Sequence, residues 1–165
     1  MKWEGYANNS ASWEPEKFLT PDLIAGYARP DVSTVRLDSA RNTLTLTIES
    51  ILRGQGNKAA PYSVPLDLDI YRYLVKDIPL RPGGIQGYRA FELIDMEKFN
   101  LPEGWQYVLN SYGVGRRVCF PILMKPELKW SVRKYYKTDF GFQEVPRHPV
   151  EKVLVRAFVE AYKVE

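Results

Sequence analysis

Pro149-Val150-Glu151-Lys152-Val153-Leu154-Val155-Arg156-Ala157-Phe158-Val159-Glu160-Ala161-Tyr162 closes the chain, and its reading sets the architecture from residue 31 onward. Val150, Val153, Leu154, Ala157, Phe158, Ala161 and Tyr162 recur at i, i+3, i+4 spacing, which predicts an amphipathic helix. Pro149 suits the first helical position and Glu151 the positive end of the helix dipole. The segments before it read mostly as strands. The expectation is therefore an α+β or mainly β domain over residues 31–165, closed by a C-terminal helix that covers its sheet.

Upstream of that stretch lies the most basic part of the chain. Residues 116–137 hold Arg116, Arg117, Lys125, Lys129, Arg133, Lys134 and Lys137 against Glu127 as the one acidic residue before Asp139. Trp130, Tyr135, Tyr136, Phe140 and Phe142 are interleaved or come shortly after. Cations that neutralise phosphates, set among aromatic faces on which bases stack, make a candidate DNA or RNA surface. Its residues are Arg116, Arg117, Lys129, Trp130, Arg133, Lys134, Tyr136 and Lys137. The competing reading is a strand pair with its aromatics turned inward and its lysines turned to water. Trp105–Asn110 and Arg117–Met124 read as hairpin strands around Ser111-Tyr112-Gly113-Val114-Gly115.

Between residues 31 and 100 two alternating runs predict strands. Thr43-Leu44-Thr45-Leu46-Thr47-Ile48 has period two, preceded by a turn over Asp38–Asn42 and a short strand Thr34–Leu37. Val64, Leu66, Leu68 and Ile70 alternate too, which would put Asp67 and Asp69 on one open face. Two such carboxylates are a conceivable divalent-cation pair, although no third acidic ligand stands at a recognisable spacing. Arg53-Gly54-Gln55-Gly56-Asn57 reads as a loop, since the lysine and hydroxyl of a phosphate-binding loop are missing. Tyr88–Phe99 fits strand or helix equally.

At the N-terminus, Thr20-Pro21-Asp22 is a helix start, with Leu23, Ile24 and Tyr27 on one stripe and Arg29-Pro30 as its end. Lys2-Trp3-Glu4-Gly5-Tyr6, Ser12-Trp13-Glu14-Pro15-Glu16, Leu19 and Asp22-Leu23-Ile24 with Tyr27 together resemble the C-terminal portion of the chromodomain. The resemblance covers residues 1–29; residues 30–165 carry none. It implies a strand pair plus helix, a module over residues 1–30 whose first strand is missing. It also implies a methyllysine cage built from Trp3 and Tyr6, attracting a methylammonium by cation–π interaction. Trp13 matches the family's core tryptophan. The pattern departs at Ser10 and Phe18, where peptide readers carry an acidic and a polar residue.

The resemblance further implies a chromatin-associated, nuclear binding protein whose partner is a histone tail or another protein peptide. The missing strand leaves an open sheet edge for residues 31–165, a second copy or a bound peptide to fill. Chromodomains also end some retrotransposon integrases, so the alternative is a retroelement-derived nucleic-acid-binding protein using residues 116–137.

Composition is compatible with both. The 165 residues are 45% hydrophobic and 26% charged, enough for one substantial core. Net charge is +3, concentrated in residues 101–165, which hold eleven basic and seven acidic side chains. Cys119 and His148 are the sole cysteine and histidine, which excludes an intrachain disulfide and a cysteine/histidine zinc site. No apolar run reaches the ~20 residues of a membrane helix. The expectation is a binding protein without catalytic residues, cofactor, metal or membrane partner.

Overall fold

The computed structural model describes residues 20–28, 30–54 and 61–164. Trp3, Tyr6 and Trp13, the expected strand pair with its open edge, and most of the 53–57 loop lie outside these residues. The first described element is α1 (Pro21–Ala28). The Thr20 hydroxyl accepts from the Leu23 amide at 3.3 Å, satisfying one of the donors a helix start leaves free. Leu23, Ile24 and Tyr27 are exposed, and Arg72 stacks its guanidinium 3.8 Å from the Tyr27 ring centroid.

The expected strands over 34–48 are instead one helix, α2 (Thr34–Leu52), as is the expected turn between them. Ser33 caps it, its Oγ accepting from the Arg36 amide at 3.4 Å. Two physical reasons decide against the alternation. Leu37, Ala40, Leu44, Ile48 and Ile51 fall on one helical face and are buried, whereas Leu46, which the alternation needs inside, is 54% exposed. The threonine hydroxyls are absorbed by the helix itself. Thr43, Thr45 and Thr47 donate to the carbonyls four residues back at 2.9, 2.7 and 3.0 Å.

The second alternating run also resolves differently. β1 (Tyr62–Val64) ends early, and α3 (Leu68–Val75) begins shortly after it with Ile70, Tyr71, Leu74 and Val75 buried. Asp67 and Asp69 therefore do not share an open strand face. They stand at the start of α3, where Arg36 donates to Asp69 at 2.8 Å through both terminal nitrogens and to Asp67 at 3.1 Å. A guanidinium, not a cation site, accounts for the pair. The ambiguous 88–99 segment holds one element of each kind, β2 (Arg89–Phe91) and α4 (Leu93–Glu97). Asp95 joins them, accepting from the Glu92 amide at 2.9 Å and from Arg81 Nε at 2.8 Å while only 1% exposed.

The remaining strands are β3 (Tyr107–Leu109), β4 (Val114–Trp130), β5 (Tyr135–Thr138), β6 (Gly141–Glu144) and β7 (Pro149–Lys163). The C-terminal stretch is thus a strand, not the expected helix. β7 lies antiparallel to β4 from Val114↔Lys163 to Trp130↔Pro149, with an irregularity between Cys119 and Leu123. That ladder pairs the facing backbone groups of the two long strands along most of their length. It buries Val153 and Val155 from β7 beside Val118, Ile122 and Met124 from β4. Pro126 falls beyond Met124, the last β4 partner of β2, on an edge where a missing N–H costs nothing. The five-stranded antiparallel sheet runs β1-β7-β4-β2, with β3 also on β4. The expected β3–β4 hairpin is present, and Gly115 is required in it, because a Cβ there would collide with the Val108 carbonyl. α2, α3 and α4 share one hydrophobic core with Val64, Phe91, Ile122, Met124, Val153 and Val155 of the sheet.

Two carboxylates tie this fold to pH. The Arg81 hydrogen bond holds the Asp95 carboxyl below the ordinary carboxylate range, outweighing burial, which pushes it up. Burial also pushes Asp69 up, but the Arg36 hydrogen bond and charge outweigh it and the net direction is down. A carboxyl depressed by folding stabilises above its unfolded value, about 3.9 for Asp, and that contribution is lost as pH falls through the folded value. The thermal midpoint is therefore expected to vary little for these two groups between pH 7 and 5 and to drop below about pH 4. Asp95→Asn should lower the neutral midpoint and make the acid drop shallower. An unchanged drop in that variant would acquit Asp95.

Candidate nucleic-acid interface

β4 and β7 do not stop at the core. Past the Trp130↔Pro149 pair the ribbon continues through a bond from the Ser131 amide to the His148 carbonyl at 2.8 Å. Arg147 Nε reinforces it, donating to the Ser131 carbonyl at 3.0 Å, and the Val145 amide donates to the Lys134 carbonyl at 2.8 Å. His148, whose sequence setting suggests a cap or a surface place beside a helix, is exposed at this base of the ribbon. Beyond it β5 and β6 pair from Tyr135↔Glu144 to Thr138↔Gly141, forming a separate two-stranded sheet. From Trp130 to the apex is ten residues of chain, about 30 Å when extended.

A tight turn closes this finger. The Thr138 hydroxyl donates to the Gly141 carbonyl at 2.8 Å and accepts from the Phe140 amide at 3.3 Å. Gly141 takes a φ of 116°, a conformation closed to most side chains. Asp139 and Phe140 form the apex.

Directly paired residues share a face. Tyr135, Lys137, Phe142 and Glu144 therefore stand on one side of the finger, with Tyr136, Thr138 and Gln143 on the other. Neither side packs on another described element. Phe140 is fully exposed and Phe142 77% exposed, and Tyr135 and Tyr136 are about half exposed. An inward-facing set of aromatics is not what forms here. Residues 130–148 carry four basic and two acidic side chains. Arg133 is 3.8 Å from Glu144, an exposed pair of little energetic weight.

Of the residues expected to contact nucleic acid, Lys129, Trp130, Arg133, Lys134, Tyr136 and Lys137 are thus gathered at and along the finger. Trp130 is 40% exposed. Arg116 and Arg117 are not brought to it. They sit at the opposite end of β4, on the order of 40 Å away along the strand. There Arg117 pairs with Glu160 and lies 4.7 Å from the Tyr162 ring, while Arg116 leans over Gly54. Residue order alone places all eight in one segment; a single long strand separates them. Tyr135, Phe140 and Phe142 join the site as more exposed aromatics than Tyr136. Their signal in the sequence is the aromatic spacing around Asp139-Phe140-Gly141.

Elsewhere the described residues show little chemistry. Among them no group of three or more His, Cys, Asp or Glu side chains is placed to hold a metal. Burial, with the nearby Glu160, pushes the Cys119 thiol up, away from the thiolate a nucleophile needs. No protein-family model, curated protein or solved structure matches the chain.

Proposed function

We propose that this protein binds nucleic acid and that the β5–β6 finger is its contact element, rather than that it is an enzyme. One observation carries the reading: a hairpin with four exposed aromatics and the cations Arg133, Lys134 and Lys137 extends beyond the core with neither face covered by another described element. A bare two-stranded hairpin is marginal in water, and an exposed aromatic cluster of this kind marks an interaction surface. The cations favour a phosphate backbone as the partner, and the rings offer stacking faces for bases. A two-stranded ribbon also fits the width of a DNA major groove.

Fluorescence anisotropy with labelled single-stranded DNA, duplex DNA and RNA tests this. Affinity should fall with salt, with a log–log slope of about −2 to −4 for three or four phosphate contacts. Absence of binding to all three at about 50 mM salt, or binding instead to anionic phospholipid vesicles, would overturn it.

A second reading rests on the chromodomain-like motif at residues 1–29. In it Trp3 and Tyr6 receive a methylated lysine of a histone tail in the nucleus, and the finger holds the surrounding DNA or RNA. Titration with trimethylated against unmodified histone peptides, followed by tryptophan fluorescence, separates it from the first. Equal affinity for both peptides removes the cage.

A further inference from the structure

A cleft of about 410 Å³ lies beside β7 where its partner β1 ends. Its walls are largely apolar, with Ile51, Ile85, Leu123 and Phe158 among them, and Tyr62 at the β1 end. Among the described residues two charged side chains line it, Arg116 and Arg156, and no carboxylate does. These two arginines are unlike the others. Of the eleven arginines among the described residues, eight donate a hydrogen bond to a carboxylate or backbone carbonyl, and Arg133 has a longer ion pair with Glu144. Arg116 and Arg156 are the two that have neither among the described residues, and both face this cleft. Arg156 is held over the Tyr88 ring at 5.3 Å, and its Nε is buried without a partner, as is that of Arg89, whose terminal nitrogen however donates to the Ile78 carbonyl. A buried donor left unpaired is costly, so such groups call for an account beyond packing.

We infer that the cleft is a binding site for a small organic anion, a carboxylate or phosphate carried on an apolar or aromatic body. Guanidinium groups with free donors match an oxyanion, and the arginine fork suits carboxylate and phosphate alike. The apolar walls take the body of the ligand, and the volume falls within the usual range for small-molecule sites. Two arginines and no acidic side chain among the described lining residues favour an anion over a cation there. The site lies along the middle of the ribbon toward its Arg116 end, away from the finger, and does not depend on nucleic-acid binding.

Calorimetric titration of the whole protein with phenyl phosphate, phenylacetate, neutral phenylacetamide and inorganic phosphate tests the inference. At least one of the two aryl anions should bind, tenfold or more tightly than both the neutral amide and the bare ion. The stronger of the two identifies phosphate or carboxylate as the preferred head group. Arg156→Gln and Arg116→Gln should each weaken that binding about fivefold or more, with the far-ultraviolet circular dichroism unchanged. Arg116→Gln keeps the test valid if the half-buried Arg156 variant misfolds. Failure of both aryl anions to bind, equal binding of the amide, or affinity indifferent to both substitutions would overturn it.

Discussion

Phe91→Ala is expected to lower the free energy of unfolding by about 3–5 kcal/mol, the usual cost of truncating a fully buried phenylalanine. Phe91 is 0% exposed on β2, where it pairs with Ile122 across to β4 and meets Phe99 edge-on at a ring separation of 5.6 Å. Truncation removes that contact and opens a cavity between the sheet and α4, whose Met96 is equally buried. Since domains of this size hold only about 5–15 kcal/mol in total, the thermal midpoint should fall by roughly 10 °C or more. Phe140→Ala is the counterpart. That ring is fully exposed, so stability should change by no more than about 0.5 kcal/mol. Denaturant unfolding of the two variants decides. A large loss at Phe140 would mean the finger folds back on the core; a small loss at Phe91 would mean that core is not closed as described.

That contrast also bears on how far the fold is legible from sequence. Local chemistry speaks clearly where the deciding partners are close in sequence. Thr20-Pro21 starts α1 with its own hydroxyl, and the glycine-bearing turn at 111–115 joins β3 to β4. It misleads where the deciding partner is remote. The alternation at 43–48 is real, yet a helix accommodates it because the threonines bond within their own backbone and Leu46 is left outside. In β7 the helical spacing of Val150, Val153, Leu154 and Ala157 is equally real. It is outweighed by a ladder to β4 extending over almost the whole of both strands, and β4 begins 35 residues upstream of β7. A window of sequence cannot weigh a ladder whose other half lies outside it. The same long strand explains the candidate site. Composition finds the cations and rings, but only pairing shows that Arg117 faces Glu160 at one end while Lys137 stands beside Phe142 on the finger.

Reversing the three finger cations together, Arg133→Glu, Lys134→Glu and Lys137→Glu, is expected to reduce nucleic-acid affinity at about 0.1 M salt by a hundredfold or more. Each phosphate contact contributes roughly 0.7–0.9 to the salt slope, so losing three counterion-releasing contacts at that salt removes about two decades, before added repulsion. The slope itself should shrink by about 2–3. All three side chains are exposed, and the ionic contact of Arg133 with Glu144 is a long one at the surface. Folding should therefore survive, which makes lost binding interpretable. Arg117→Glu serves as the control. Arg117 is as plausible from composition as the finger residues, but it lies at the far end of β4 against Glu160. If the finger is the contact element, that variant retains affinity within about threefold while the triple variant loses it. The reverse outcome would move the interface to the Arg116–Arg117 end of the ribbon, and loss in both would mean a surface that follows the whole length of β4. Only a contact confined to the finger gives affinity that collapses at one end of a continuous strand and is untouched at the other.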